Sequence, residues 1–163
     1  MCHELDTHEH AFLHCTMAAS VWQGLLEWTA PMWRAEKLTT PAPSVALCML
    51  GLLQANTPTY PPRWWQLLQR IALRWMWVSH AQRLCGDDMI HGDPSSMLTH
   101  TQLEFDSRIH WHWAKFQHHR ERAHSKAGKC RPSVDFKAKW GPMVVFDSKG
   151  KTLSLALPTK KQE

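Results

Sequence analysis

Residues 63–85 read RWWQLLQRIALRWMWVSHAQRLC. Trp64, Leu67, Leu68, Ile71, Trp75, Val78 and Gln82 fall on the helical period, so one face of a helix carries them. Gly86 follows, and glycine is the commonest residue just past a helix end. The pair Asp93-Pro94 then opens a second helix, as an N-cap with proline at the first helical position. This helix is expected to run to about His124, with Leu98, Phe105, Ile109, His112 and Phe116 as its apolar stripe. Two long helices joined by a short loop pack antiparallel.

On the N-terminal side, Ala18, Val21, Trp22, Leu25 and Leu26 share one helical face. Pro31 is expected to end that helix at the latest. Residues 39–62 hold Pro41, Pro43, Pro58, Pro61 and Pro62, which bracket an apolar segment, 44–54, read as a short helix between loops. On the C-terminal side the period changes from Gly128. Met143 to Phe146 reads as a strand, Asp147-Ser148-Lys149-Gly150 as a turn, and Leu153, Leu155 and Leu157 as an alternating, half-buried strand. A hairpin alone is marginal in water, so the helices or a further partner must cover it.

The chain has 163 residues, a formal net charge of +5 and five cysteines. The cysteines are odd in number and irregularly spaced, and the acidic N-terminus shows no signal peptide, so reduced thiols are expected. No apolar run approaches the ~20 residues that span a bilayer. The expected location is therefore intracellular, in nucleus or cytoplasm, with no membrane partner. Ten tryptophans and twelve histidines are a large excess. Extensive aromatic contacts in the fold account for such an excess, and so does drift without tight selection.

Residues 2–22 read CHELDTHEHAFLHCTMAASVW. Cys2, His10 and Cys15 stand as C-x7-H-x4-C, with thiolates and imidazoles of the kind that zinc binds tetrahedrally. His10 with His14, and His3 with His8, are competing pairs. The HExxH motif of zinc peptidases is absent.

This stretch resembles the zinc-binding segment on the C-terminal side of the reverse transcriptase domain in non-LTR retrotransposons. The family pattern is C-x2-C, about seven residues, H-x4-C, and a helix ending in Val-Trp. Cys2 matches its second cysteine, His10 the histidine, Cys15 the last cysteine, and Val21-Trp22 the helix signature. The Trp-rich helix 63–85 is similar to the helix that follows the knuckle in these polyproteins. The family's first cysteine would fall just before Met1. The resemblance therefore implies a truncated C-terminal piece of a polyprotein, in which zinc is bound weakly or not at all. Water, His3 or His8 would fill the fourth position. It also implies that the knuckle in the parent aids RNA or DNA binding.

The positive charge lies in the second half. Residues 107–140 hold nine bases (Arg108, Lys115, Arg120, Arg122, Lys126, Lys129, Arg131, Lys137, Lys139) against Glu121 and Asp135. Such a field attracts polyanions. Within it Arg108, Trp111, Trp113, Lys115, Arg120, Arg122 and Lys126 interleave bases with aromatics, the combination that stacks on and neutralises single strands. The same spacing also suits a helix with its aromatics in the core and its bases in water. Helical periodicity favours that second reading, and the excess charge sustains the first.

Gly86-Asp87-Asp88 has the look of paired polymerase aspartates, but no palm-like strand pattern surrounds it, and a helix stop with a solvated loop is the reading. No phosphate-binding loop, dinucleotide fingerprint or nucleophile elbow is present, so no catalytic activity is expected.

The expected fold is mainly α: a small helical domain with an N-terminal partial zinc knuckle and a C-terminal β-hairpin. Its expected divisions are 1–30 (knuckle and following helix), 31–62 (Pro-rich linker with a short helix), 63–126 (helical pair) and 127–163 (basic segment and hairpin tail). The expected function is that of a non-catalytic C-terminal fragment of a retrotransposon reverse transcriptase polyprotein, with a partial zinc-binding motif that in the parent would aid nucleic-acid binding. The alternative is a stand-alone basic nucleic-acid-binding module built on 108–139.

Overall fold

The computed structural model describes residues 7–54, 60–85, 93–123, 132–147, 149–150 and 152–155. It is mainly helical, with one small antiparallel hairpin. Helix α1 spans Thr16–Ala35, α2 Arg63–Leu84, α3 Pro94–Ala123 and α4 Pro132–Trp140; strands β1 (Val144–Phe146) and β2 (Leu153–Leu155) follow.

Helix α1 turns its apolar stripe, Ala18, Val21, Trp22, Leu25 and Leu26, into the core. It does not end at Pro31 but runs through it to Ala35. A mid-helix proline costs about 3 kcal/mol through its missing N–H and its ring clash. Beyond it, Met32 and Trp33 are fully buried. Burying two such side chains contributes about 1.5–3 kcal/mol each, enough to offset that cost. Tertiary packing overrides the local breaker.

Helix α2 buries Trp64, Trp65, Leu68, Ile71, Ala72 and Met76. Its inward face is thus turned slightly from the expected stripe, and Trp75 and Val78 are only half-buried. Phe12, just ahead of α1, stacks on Trp77 late in α2, with ring centroids 6.2 Å apart. At the other end Trp33 meets Trp64 at 4.9 Å and Trp65 at 5.3 Å. The two helices are therefore antiparallel. Helix α3 runs alongside α1 in the same sense, since Gly24 lies against Leu98 and Trp28 against Phe105. It is consequently antiparallel to α2, as the short connection implies. Asp93 caps α3, accepting the Ser95 and Ser96 amides at 2.7 and 3.1 Å. Glu104 of α3 fixes the register with α2. It accepts Arg74 Nη1 at 2.8 Å and Trp75 Nε1 at 2.9 Å.

The apolar segment 44–54 forms only one wide turn, Ala46–Leu50, not a longer helix. Gly51 closes it at φ +66°, a left-handed conformation that glycine adopts without penalty. Gln69 of α2 holds the turn by donating to the buried Cys48 carbonyl at 3.0 Å.

Helix α4 lies where the sequence reading placed only a basic segment. Phe136 and Trp140, four residues apart, bury one side of it. Phe136 packs edge-on to Trp113 at 5.0 Å and Phe116 at 5.5 Å. The signal was present as Pro132 ahead of an i, i+4 aromatic pair, with Asp135 in the first turn and Lys137 and Lys139 in the last. Side-chain contacts thus cross the expected divisions, Trp33 reaching Trp64 and Trp113 reaching Phe136.

A short turn, Gly141–Met143, leads into β1, so Met143 precedes the strand. Val144 pairs with Leu155 and Phe146 with Leu153. Val144 and Leu153 are buried, and Phe146 packs on Trp113 at 4.8 Å. The aromatic end of α3 and α4 thereby covers the hairpin. Leu157 lies outside the described residues.

Four tryptophans lie at the α1–α2 seam, and their indole N–H groups differ in partner. Trp22 Nε1 donates to the Phe12 carbonyl at 2.7 Å. Those of Trp33, Trp64 and Trp65 are buried without an acceptor among the described residues. A broken buried bond costs about 1–3 kcal/mol, whereas deleting an unpartnered donor relieves a comparable penalty. Trp22→Phe should therefore lower the unfolding free energy by on the order of 1–2 kcal/mol more than Trp65→Phe does. Urea denaturation of both variants checks this, and equal losses would show that the indole bond contributes nothing.

Candidate nucleic-acid interface

Helix α3 carries aromatics on two opposite sides between residues 105 and 116. Residues two apart on an α-helix point about 200° apart, so Trp111 and Trp113 cannot share a face. Phe105, Ile109 and Trp113 are buried. Trp113 sits among Phe116, Phe136 and Phe146. Expected as a nucleic-acid contact, Trp113 is instead a core residue, enclosed by α4 and the hairpin.

Trp111 stands outside, 53% exposed. Lys115, one turn on, places its ammonium 5.0 Å from the Trp111 ring centroid. A cation over an exposed indole gains about 0.5–1 kcal/mol, enough to hold the two side chains side by side. Arg108, one turn back, is exposed and bonds Glu104 at 3.1 Å. Glu104 already accepts from Arg74 and Trp75, so the Arg108 guanidinium is only partly neutralised.

Between these groups lies His112, half-buried, its ring 5.1 Å from Trp111 and 4.9 Å from Trp140 of α4. Its pKa is pushed below the usual histidine value, first by burial and then by Lys139, Lys115 and Arg108. The same three positive charges thus converge on one imidazole from two helices. Lys139 was not expected here, because its place depends on α4. His112 was expected only as part of an apolar stripe.

Of the other expected contacts, Lys126 lies outside the described residues. Arg120 and Arg122 stand on the last turns of α3, and their side chains are outside the described set. Gly86, Asp87 and Asp88 are outside it as well.

The described residues of the expected knuckle lie at the other end of the bundle. Residues His10–His14 make one wide turn, closed by the Cys15 amide donating to the His10 carbonyl at 2.7 Å. This brings two of the expected zinc donors, His10 and Cys15, to the two ends of a single turn, both half-buried. Leu13 is buried beneath the turn, and the Trp22 indole bonds its Phe12 carbonyl. The tryptophan of the Val-Trp signature is therefore what pins the turn to α1. His14 faces away and bonds Glu9 at 3.0 Å in solvent. Cys2 and His3 lie outside the described residues, as does the whole stretch before Thr7. Among the described residues no three histidine, cysteine or acidic side chains group as metal donors. Two donors do not make a closed tetrahedral site, so the described part fits zinc only with donors from residues 1–6.

No family model, curated protein or solved structure matches the chain. Among the described residues no helix is long and apolar enough to cross a membrane.

The two donors give a direct test. Zinc competition titration should find a weak site that Cys15→Ser or His10→Ala removes. His14→Ala should leave it unchanged, because that ring is committed to Glu9. Affinity indifferent to Cys15→Ser would take Cys15 out of the ligand set.

Proposed function

We propose that the chain binds single-stranded nucleic acid, and does so without catalysis, through the face formed by α3 and α4. The observation that carries this reading is the exposed Trp111 ring with the Lys115 ammonium over it and Arg108 one turn back on α3, while α4 sets Trp140, the residue after Lys139, 4.9 Å from the His112 ring. An exposed indole offers a stacking platform to any base, and cations within one turn of it reach the flanking phosphates. The net charge of +5 extends the attraction beyond contact range.

The resemblance of residues 2–22 to retrotransposon zinc-binding segments supports the same activity from the other end of the bundle. In that reading the chain is the nucleic-acid-binding part of a reverse transcriptase polyprotein, and RNA or DNA is its partner. The way Trp22 clasps the knuckle turn supports the match between that spacing and the following helix. Zinc held with the help of Cys2, His10 and Cys15 would stiffen the turn.

Binding to a labelled oligothymidylate should weaken linearly on a log–log plot against salt. Each phosphate contact to a single strand contributes about −0.7 to the slope. Lys115→Gln and Lys139→Gln should each flatten it by about that amount. Trp111→Ala should cost a further ~1–3 kcal/mol of binding and leave the fold intact. Trp113→Ala should instead unfold the chain, costing about 3–5 kcal/mol of stability. Salt-independent binding, or full affinity in Trp111→Ala, would overturn the assignment of this face.

A further inference from the structure

The α3–α4 seam has a feature that stacking and charge alone do not use. The ring of His112 is wedged between Trp111 and Trp140. Arg108 and Lys115 stand one turn to either side of it on α3, Lys115 with its ammonium 5.0 Å from the Trp111 ring and Arg108 paired with Glu104 at 3.1 Å, and Lys139 precedes Trp140 on α4; all three cations disfavour the imidazolium. Three cations converge there on a group that can itself become a fourth. Glu104 offsets Arg108 only in part, and a phosphodiester is the further anion that the proposed strand brings to Trp111.

We propose that His112 is a proton-gated phosphate contact: one strand phosphate sits among Arg108, Lys115 and Lys139, and the His112 imidazole takes up a solvent proton to donate to it. The inference rests on the nucleic-acid reading of this face and adds a residue and a regulation to it.

The sign follows from the charges. In the free chain burial and the three cations disfavour the imidazolium, so His112 is neutral at neutral pH. A bound phosphate offsets the cations and accepts a hydrogen bond from the protonated ring, which raises the His112 pKa. Binding then carries a proton with it, and by linkage affinity increases as pH falls through the free and bound values. Without the anion, the depressed pKa acts oppositely: the folded chain loses stability as pH falls below the ordinary histidine value near 6.5, and none above it.

The test measures oligothymidylate affinity at fixed salt between pH 8 and 5.5, for the wild-type chain, His112→Gln and His110→Gln. One linked proton allows at most a tenfold gain per pH unit, and the expected gain over this range is roughly five- to tenfold. His112→Gln should lose most of the gain, read as the ratio of that variant's own affinities at pH 5.5 and pH 8. His110→Gln, whose ring pairs with Asp106 at 3.5 Å on the exposed side of α3, should keep it. In the wild-type chain, proton NMR of the His112 ring should show its titration moving to higher pH on adding the oligonucleotide. That readout does not depend on how well the variant folds. A pH gain that survives in His112→Gln, or a His112 titration unmoved by saturating oligonucleotide, would overturn the proton gate while leaving the binding face standing. No binding at any pH in low salt would overturn both.

Discussion

The contact among Trp22, Trp33, Trp64 and Trp65 holds α1 to α2, and the remaining helices are laid on that pair. All four rings are essentially fully buried. Each tryptophan removes about 150–250 Å² from water, worth at most about 4–6 kcal/mol at 25 cal/mol per Å². Three of the four indole N–H groups lack an acceptor, at about 1–3 kcal/mol each. Area outweighs polar satisfaction at every one of these positions. The seam also explains why α1 passes through Pro31: stopping there would take Trp33 out of the cluster.

From this seam the position of the proposed binding face follows. Packing against α1 and α2 fixes the rotation of α3, and Glu104 ties it to Arg74 and Trp75. With Phe105, Ile109 and Trp113 turned inward, Arg108, Trp111 and Lys115 can only point outward. The aromatic cluster around Trp113 then gives α4 somewhere to dock. At nine residues α4 is too short to hold itself together in water, so Phe136 and Trp140 provide its stability. Lys139 reaches His112 only because those two rings are buried.

Much of this was legible in the residues. The stripes of α1 and α2, the Asp93 cap and the hairpin register signals are local patterns, and local patterns survive in a sequence. What was not legible depended on partners distant in the chain. Pro31 reads as a stop unless Trp33 is known to meet Trp64. Trp111 and Trp113 are equally aromatic, and the helical period shows only that they face opposite ways. Which one is core is decided by Phe136 and Phe146, more than twenty residues further on. The stretch before the hairpin read only as a basic segment because its lysines outnumber its two anchoring rings. The spacing of His10 and Cys15 was legible, while the Trp22 indole reaching back to the Phe12 carbonyl between them is visible only in three dimensions.

The arrangement places opposing demands on the same few turns. Lys139, Lys115 and Arg108 all act on the half-buried His112, and burial with these cations disfavours its charged form. Solvent screening keeps each exposed pair to about 1 kcal/mol or less. The Trp113–Phe136–Trp140 contacts on the other side of the same helices exceed this, at about 0.5–1.5 kcal/mol per aromatic pair beyond the area they bury. The core can therefore hold a cation cluster that the surface alone would disperse. A site preorganised in this way spends little on ordering its side chains when an anion arrives. The same cluster would be lost at once if α4 undocked, so binding at this face is linked to the integrity of the aromatic core beneath it.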